Sequence, residues 1–293
     1  MTQIIDGKRI AQEVKDELKI EIDELGQSGC IPGLSVVIVG QDPASKIYVK
    51  MKAKASQELG IKSETIERPD NTSQAELLEL IQRLNQDRNV HGILVQLPLP
   101  EQIDEDAVIH SISPGKDVDG FHPINRGKLV VGEDTFVPCT PLGIQEMLIR
   151  SGFDPGGKHV VIVGRSKIVG MPLATMLAQK KAGANATVTV CHTGTRDIAQ
   201  FTRRADILIA AVGRPEVITA DMVRGGAVVI DVGVNRVDAP GTEKGYRIVG
   251  DVEFESVSQH AAAISPVPGG VGPMTIAMLL HNTVKSARNF LRQ

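Results

Sequence analysis

The sequence contains no tryptophan, and aromatic residues make up only 3% of its 293 positions. Proteins that bind single-stranded nucleic acid rely on aromatic side chains for base stacking, and a net charge of -3 gives no general attraction to nucleic acid or anionic membranes. No apolar run approaches the ~20 residues that span a bilayer, and the charged stretch from Asp6 to Arg9 is unlike a signal peptide. We therefore expect a cytoplasmic protein with no nucleic-acid or membrane partner.

Cysteine is also scarce in this sequence. Cys30, Cys139 and Cys191 lie far apart and form no CxxC pair, and the seven histidines include no HExxH motif. Disulfide frameworks and structural zinc sites need such paired residues. The composition therefore favours a reducing compartment and a protein without a bound metal.

What the sequence does have is a regular alternation of strand and helix patterns. Short apolar runs such as LSVVIVG, HGILVQL and HVVIVG are followed by segments with helical hydrophobic spacing. This alternation predicts an α/β fold with parallel sheets, and the length suggests about two domains. The second series begins at Lys158 and contains the strands HVVIVG, ATVTVCH, ADILIAAVG and AVVIDVG, a set typical of a Rossmann-like domain.

An altered dinucleotide-binding turn lies between the first strand and helix of this second series. In VVIVGRSKIVGMP, Ser166 replaces the second glycine of the usual G-x-G-x-x-G and Arg165 lies within the loop. Many α/β loops contain such a turn for steric reasons alone. However, no acidic residue occurs from Gly164 to Arg196, where NAD sites place the carboxylate that binds the ribose 2′-hydroxyl. Because arginine suits a 2′-phosphate, the turn predicts NADP.

One lysine differs from its neighbours in the helix predicted from about Ala44 to Leu59. The predicted apolar stripe consists of Ala44, Ile47, Met51, Ala55 and Leu59. Lys46, Lys50 and Lys54 fall on the opposite side of the helical wheel. Lys52 falls roughly 60° from the centre of the stripe, on the same face as Tyr48. It can be a solvated lysine with an apolar stem or a half-buried amine that transfers protons.

Three further segments carry candidate residues. Gln96 follows the third predicted strand, at the end where α/β proteins bind ligands. SPGKDVDGFHPINRGKL predicts a long irregular loop, in which Asp117 and Asp119 are turn formers or bind an N–H-rich heterocycle. The glycines of SPVPGGVGPMT permit close approach to a ligand and equally suit a simple domain-crossing loop.

Eight stretches lie in order along nearly the whole chain and together resemble one family. They read DPASKIYVKMKAKASQELGI, GILVQLPLP, PGKDVDGFHP, PCTP, GRSKIVGMP, IDVGVNR, VGDV and PVPGGVGPMT. The sequence is similar to the bifunctional methylenetetrahydrofolate dehydrogenase/methenyltetrahydrofolate cyclohydrolases. Such an ordered set is far more specific than the turn alone.

The resemblance implies two domains with the active cleft between them. An N-terminal α/β folate domain would comprise residues 1–140, completed by the C-terminal helix 275–293, and a Rossmann-like NADP domain would comprise residues 141–274. A hydride would pass from 5,10-methylenetetrahydrofolate to NADP, and the resulting 5,10-methenyltetrahydrofolate would be hydrolysed to 10-formyltetrahydrofolate. The resemblance also implies a homodimer.

Site residues follow from the same motif matches. The catalytic residues implied are Tyr48, Lys52, Gln96 and Asp119. Lys52 would transfer protons, Gln96 would hold its amine, Tyr48 would stack on folate, and Asp119 would anchor the pterin. The further substrate-binding residues implied are Ser45, Leu97, Pro268, Gly269, Gly270, Val271, Gly272 and Pro273. The cofactor-binding residues implied are Gly164, Arg165, Ser166, Thr193 and Val234.

Two alternatives come from other functional classes. One is another two-domain NADP-dependent dehydrogenase, such as one that acts on shikimate-type acids. The other is a non-catalytic nucleotide-sensing module. The first does not need the pair of Tyr48 and Lys52 together with Gln96, and the second does not need Lys52 at the edge of a core face.

Overall fold

The computed structural model describes residues 2–242 and 245–292. In chain order its elements are β1 (Gln3–Ile4), α1 (Gly7–Gln27), β2 (Gly33–Val39), α2 (Pro43–Leu59), β3 (Lys62–Arg68), α3 (Gln74–Gln86), β4 (Gly92–Val95), α4 (Glu105–Ser111), α5 (Pro123–Val131), α6 (Cys139–Arg150), β5 (His159–Val163), α7 (Gly170–Ala178), β6 (Thr187–Cys191), α8 (Ala199–Thr202), β7 (Ile207–Ala210), a 3₁₀ turn (Ala220–Met222), β8 (Val228–Asp231), β9 (Asn235–Asp238), β10 (Tyr246–Val249), α9 (Phe254–Ser258), β11 (Ala263–Ile264) and α10 (Val271–Leu291). Within these ranges, no helix combines the length and the apolar character needed to cross a bilayer.

The chain divides into two compact units. The small-sheet unit consists of Gln12–Cys139 and the chain from Ile276 onward. The large-sheet unit consists of the chain up to Ala11 together with Thr140–Thr275. The divisions fall within α1, α6 and α10, so each of these helices contributes residues to both units.

The small-sheet unit is built on parallel strands in the order β3-β2-β4. Every residue of the central strand β2 is buried, as expected for a parallel strand that is covered on both faces. A capping box begins α3, since the Ser73 side chain accepts from the Glu76 backbone and the Glu76 carboxylate accepts from the Ser73 backbone. The predicted strands LSVVIVG and HGILVQL are confirmed as β2 and β4.

The buried face of α2 differs from the predicted one. Its buried residues are Ser45, Val49, Lys52, Ala55, Ser56 and Leu59. Ala44, Ile47 and Met51 are exposed, so the predicted apolar stripe is wrong at these three positions. The physical reason is that polar side chains on the buried face have partners: the Ser56 hydroxyl donates to the backbone oxygen of Lys52 at 2.9 Å.

The large-sheet unit contains a parallel sheet in the order β1-β11-β8-β7-β5-β6. The chain runs from β5 outward to β6 and then returns to β7 on the other side of β5, which creates a topological switch point. Val161, Leu208 and Val229, from three neighbouring strands, lie in its core and are fully buried. The predicted α/β class with a Rossmann-like domain is confirmed.

Several elements differ from what the sequence pattern predicts. β1 pairs with β11 in parallel, and the chain up to Ala11 therefore belongs to the large-sheet unit. The predicted irregular stretch includes most of α5, which has Pro123 in its first turn and is capped after Val131 by Gly132 with φ 79°. β9 and β10 form an antiparallel hairpin that the pattern of buried parallel strands does not indicate.

Candidate active site

A hydrogen bond joins α2 to the segment that follows β4. Lys52 lies on the buried face of α2 with 9% of its surface exposed, and its Nζ donates to Oε1 of Gln96 at 3.0 Å. Gln96 in turn donates from Nε2 to the backbone oxygen of Leu97 at 2.7 Å. This second bond orients the amide so that its oxygen faces the amine. The structure therefore brings Lys52 and Gln96 together.

Asp119 belongs to the same cluster. It follows a segment in which Asp117 forms a parallel bridge with Ile93, and the chain then runs toward the carboxyl end of β4. Desolvation by the surrounding atoms raises the pKa of the Asp119 carboxyl, and the positive charge of Lys52 opposes this rise. The Cys139 thiol lies 3.7 Å from Oδ1 of Asp119. An acid and an amine thus lie in one poorly solvated group of side chains.

The neighbouring Asp117 has a structural task. Its carboxylate accepts from the backbone N–H groups of Phe121 at 3.2 Å and His122 at 2.8 Å, and from Nδ2 of Asn125 at 2.8 Å. These bonds stabilise the turn that leads into α5. Of the two aspartates in KDVDG, Asp119 is therefore the candidate for contact with a ligand.

Tyr48 lies one turn before Lys52 on α2. Its side chain is 38% exposed, and Ile47 and Met51 beside it are also exposed. An aromatic ring that is accessible next to a buried amine is suited to stack on a flat heterocycle. Ser45 is buried in the first turn, where its backbone N–H donates to the Asp42 carboxylate at 2.7 Å and completes the N-cap of α2.

In the large-sheet unit, the turn after β5 is tightly constrained. Gly164 has φ 136°, and a Cβ there would overlap the backbone oxygen of Ala211. A Cβ at Gly170 would likewise overlap the backbone oxygen of Gly164. The Ser166 hydroxyl accepts from the backbone N–H groups of Val169 at 3.1 Å and Gly170 at 3.4 Å. The turn therefore brings backbone close to backbone at the start of α7.

A cleft of about 530 Å³ opens beside this turn. The polar side chains that line it come from Arg165, Ser166, His192, Thr193 and Arg214. Among the described residues, no acidic side chain lines the cleft. Two guanidinium groups and two hydroxyls fit a ligand that carries phosphates. Val234 is 55% exposed but is not part of the cleft lining.

The glycine-rich segment before α10 also belongs to the large-sheet unit. Gly269 has φ 111°, and its backbone oxygen accepts from the Lys8 N–H at 3.1 Å. A Cβ at Gly7 would overlap the backbone oxygen of Gly270, so α1 begins directly against this segment. Val271 to Pro273 form the first turn of α10. Among the predicted substrate-binding residues, Pro268–Pro273 are thus held by backbone contacts within their own unit.

The structure also identifies functional candidates that sequence reasoning missed. Arg214 lines the cleft from the loop after β7, and its only sequence signal is its place after a predicted parallel strand. Asp231 and Asp251 lie behind the same loop as buried acids. The motifs IDVGVNR and VGDV contain these two aspartates, but a motif does not reveal which backbone groups a carboxylate binds. Among the described residues, no cluster of three or more potential metal ligands occurs.

Two family models match the chain. The model for the catalytic domain of tetrahydrofolate dehydrogenase/cyclohydrolase matches residues 5–119, and the model for the NAD(P)-binding domain matches residues 138–291. The chain belongs to the tetrahydrofolate dehydrogenase/cyclohydrolase family. The first match contains Lys52, Gln96 and Asp119, and the second contains the turn around Arg165.

Relatives in this family match over nearly their full length. The bifunctional protein FolD of Chloroherpeton thalassium is 58% identical over 291 residues, which are 98% of this chain and 99% of that protein. The crystal structure of the FolD dehydrogenase/cyclohydrolase from Campylobacter jejuni is 51% identical, with a TM-score of 0.93 and 99% of both chains covered. FolD from Trypanosoma brucei, solved with NADP cofactor and an inhibitor, is 41% identical with a TM-score of 0.93, and the match covers 100% of this chain and 99% of that one.

Family membership decides between the functional classes. The chain is a bifunctional enzyme, a dehydrogenase and a cyclohydrolase. A shikimate-type dehydrogenase and a non-catalytic nucleotide-sensing module are therefore excluded, and the resemblance seen in the sequence motifs is confirmed.

Proposed function

We propose that this enzyme oxidises 5,10-methylenetetrahydrofolate with NADP and hydrolyses the resulting 5,10-methenyltetrahydrofolate to 10-formyltetrahydrofolate. The hydrogen bond between the Lys52 amine and the Gln96 amide oxygen supports this assignment most directly. Hydration and ring opening both require proton transfer to or from the reacting atoms. A buried amine held at a fixed position, next to an acid and an accessible aromatic ring, can perform that transfer beside a bound pterin.

In the hydrolytic reaction, water adds to the methenyl carbon and the bond from that carbon to N5 breaks. The attacking water loses one proton as it adds, and the resulting hydroxyl loses the second as the formyl C=O forms. N5 gains one of these protons and the other passes to solvent, so a single group that first accepts and then donates a proton serves addition and ring opening. Lys52 has this role, and Gln96 holds its amine in position. Asp119 anchors the pterin through N–H groups of the heterocycle, and Tyr48 stacks on the folate. Ser45, Leu97 and Pro268–Pro273 complete the folate contacts.

We assign NADP to the cleft beside Gly164 in the large-sheet unit. When bound, NADP supplies the hydride acceptor for the oxidation. Arg165 binds the 2′-phosphate, because its guanidinium suits a dianion and no carboxylate between Gly164 and Arg196 competes for it. Ser166, Thr193 and Val234 contact the cofactor. The enzyme therefore prefers NADP to NAD.

We divide the chain into two domains according to the ligand that each binds, folate or NADP. We assign residues 1–140 with the C-terminal helix 275–293 to the folate domain and residues 141–274 to the NADP domain, with the exception that the chain up to Ala11 packs in the large-sheet unit. The short strand β1 is an addition to the sheet of the large-sheet unit. The Rossmann-like sheet of the large-sheet unit supplies the cofactor cleft, and helix α2 of the small-sheet unit supplies Lys52, which supports this division.

An absorbance assay tests the proposed function. Purified enzyme with 5,10-methylenetetrahydrofolate and NADP should form methenyl-folate, either as an accumulating product or as a transient intermediate. When methenyl-folate is supplied alone, the enzyme should hydrolyse it without any nucleotide. The same assay with NAD should give a much lower kcat/KM. Failure to form methenyl-folate with NADP would overturn the proposal.

A homodimer and a cytoplasmic location complete the proposal. The homodimer rests on the family resemblance, and the cytoplasmic location rests on the composition, which favours a reducing compartment. Sedimentation at micromolar concentration should give twice the chain mass of 31.4 kDa, and fractionation of cells should recover the enzyme with cytoplasmic markers. A monomer mass or recovery elsewhere would contradict the respective statement.

A further inference from the structure

Two aspartates are buried at the carboxyl end of the large sheet. Asp231 is the last residue of β8 and is 3% exposed, while Asp251 follows β10 and is 0% exposed. Within the described part of the chain, every hydrogen bond that their carboxylates accept comes from an N–H group rather than from a cationic side chain. Burial of an anion costs folding free energy, so this pair needs an explanation beyond packing.

Asp251 binds the loop that lines the cofactor cleft. Its Oδ2 accepts from the backbone N–H groups of Val212 at 2.6 Å and Gly213 at 2.9 Å. Its Oδ1 accepts from the backbone N–H of Arg214 at 3.0 Å and from Nδ2 of Asn235 at 2.9 Å. Val212 and Arg214 line the cleft. One carboxylate thus holds three successive amides of a cleft wall, and charge-assisted bonds of this kind are stronger than neutral ones.

Asp231 holds the residues around Asp251. Its Oδ1 accepts from the backbone N–H groups of Gly233 and Asp251, at 3.0 and 2.9 Å, and its Oδ2 accepts from that of Val252 at 3.0 Å. Its own N–H donates to the Ser265 hydroxyl at 2.9 Å. Asp231 therefore links Asp251 to two other segments. One begins at Gly233 and leads to Val234, and the other begins at Ser265 and leads to the glycine-rich segment before α10.

Two glycines leave space for these carboxylates. A Cβ at Gly233 would overlap the Asp251 carboxylate, and a Cβ at Gly250 would overlap the Asp231 carboxylate. Each acid is thus packed directly against the backbone next to the other acid. This close fit leaves the loops little freedom to shift while both carboxylates are in place.

We propose that Asp231 and Asp251 are positioning residues for the dehydrogenase reaction, which act by fixing the Val212–Arg214 loop and the Gly233–Val234 loop against bound NADP. Neither acid lines the cleft, so both act through the backbone that they hold. The inference rests on the proposed use of NADP in this cleft. Hydride transfer depends on close alignment of donor and acceptor, whereas hydrolysis of methenyl-folate uses no nucleotide. Loss of either carboxylate should therefore affect one of the two activities and spare the other.

The decisive variant is Asp251→Asn, measured for both activities in the full-length enzyme. The amide keeps one oxygen that accepts from Arg214 and Asn235, but its NH₂ group faces the backbone N–H groups of Val212 and Gly213, which are also donors. We expect KM for NADP to rise at least about tenfold, the effect of losing one or two charge-assisted bonds. Cyclohydrolase activity should stay within about twofold of wild type. A parallel loss of both activities, or an unchanged KM for NADP, would overturn the proposal.

Asp206→Asn is the matched control. Asp206 also accepts from a backbone N–H in the same sheet, that of His159 at 2.9 Å, but it precedes β7 at the amino end of the strands. The Asp206→Asn variant should have the same KM for NADP as the wild type. A rise in KM equal to that of Asp251→Asn would overturn the proposal.

If Asp251→Asn does not fold, a milder variant tests the positioning role of Asp251. Asn235→Ala removes one donor to Asp251 and leaves the carboxylate in place, so KM for NADP should rise by a smaller factor with cyclohydrolase activity retained. Calorimetric binding of NADP separates this inference from the proposed function. Wild-type enzyme that binds NADP but oxidises no methylene-folate contradicts the proposed function, while unchanged NADP affinity in both variants contradicts the positioning role.

Discussion

The amine of Lys52 donates to the side-chain oxygen of Gln96 at 3.0 Å across 44 positions of sequence. Lys52 comes from the middle of α2, and Gln96 directly follows β4. The amide of Gln96 is itself oriented by its bond to the Leu97 oxygen. A lysine side chain has much rotational freedom, and this arrangement restricts it to one position beside Asp119. That restriction is the structural basis for the first prediction.

Lys52→Met should abolish most of the cyclohydrolase activity while the protein still folds. Methionine retains the stem volume and the helix propensity of lysine but lacks the amine. Since general acid–base groups typically contribute ~10²–10⁴-fold to a rate, hydrolysis of methenyl-folate should fall by at least that order. Dehydrogenase activity should fall less, because hydride transfer needs no proton donor from the protein. Absorbance assays of the two half-reactions measure both effects.

Lys50→Met is the control for this prediction, since Lys50 is exposed on the same helix. Neither activity should change appreciably in that variant. Near-normal cyclohydrolase activity in Lys52→Met, or greater damage from Lys50→Met, would refute the role of Lys52.

How far the sequence predicts this site is clearest in α2. Its helix and its stop at Gly60 follow from hydrophobic spacing and a left-handed cap with φ 80°. Its buried face does not, because Ile47 and Met51 are exposed while Ser45, a more polar residue, is buried. Hydrophobicity alone identifies a helix face only when polar residues lack partners in the core.

Strand β1 and the hydrogen bonds of Asp251 could not be predicted from the sequence pattern, because both depend on pairing between distant parts of the chain. β1 has two residues, too few to show a period, and becomes a strand only because β11 is available beside it. In contrast, α5 had local signals, Pro123 in the first turn and Gly132 after the end. The bonds of Asp251 to Val212 and Gly213 join residues 39 and 38 positions apart, respectively, and no local pattern encodes them.

Arg165→Ala should raise KM for NADP far more than KM for NAD. The guanidinium is assigned to the 2′-phosphate, which NAD lacks, and the loss of an arginine–phosphate contact should cost on the order of 10–100-fold in KM for NADP. Steady-state assays with each nucleotide give the two values. Arg203→Ala, which removes a surface arginine paired with Asp221 at 3.4 Å, should alter neither. Equal effects of Arg165→Ala on both nucleotides would contradict the 2′-phosphate assignment.

Gly164→Ala should destabilise the protein and weaken NADP binding together. Alanine is strained at φ 136° and its Cβ would overlap the backbone oxygen of Ala211, so the turn after β5 must move. Urea denaturation should show a loss of ~1–3 kcal/mol in the free energy of unfolding, and calorimetry should show a lower NADP affinity. Gly26→Ala lies in α1 with no atom near its Cβ and should instead stabilise by up to ~1 kcal/mol. Equal behaviour of the two variants would contradict the steric account.

The final prediction concerns the pH dependence of stability that Asp231 produces. Burial raises the pKa of its carboxyl from 3.8 to about 6, the hydrogen bonds from Asp251 and Val252 oppose the rise, and the charge of Asp251 adds to it. In the folded protein the Asp231 carboxyl therefore stays protonated up to about pH 6, whereas in the unfolded chain it loses its proton near the ordinary pKa of 3.8. Between these two pH values the folded state binds more protons, so the free energy of unfolding falls as pH rises.

Asp231→Asn removes this titration and isolates its effect. The free energy of unfolding of the wild type minus that of the variant should decrease by ~2 kcal/mol from pH 4 to pH 7, since one pKa unit corresponds to about 1.4 kcal/mol. Urea denaturation of both proteins at pH 4, 5, 6 and 7 measures this difference. Asp206→Asn serves as the control: its backbone hydrogen bond from His159 lowers the pKa of Asp206, so its effect on stability is lost only at more acidic pH and stays nearly constant over this range. A wild-type advantage over Asp231→Asn that grows with pH would show that the Asp231 carboxylate is stabilised, not destabilised, by its buried position.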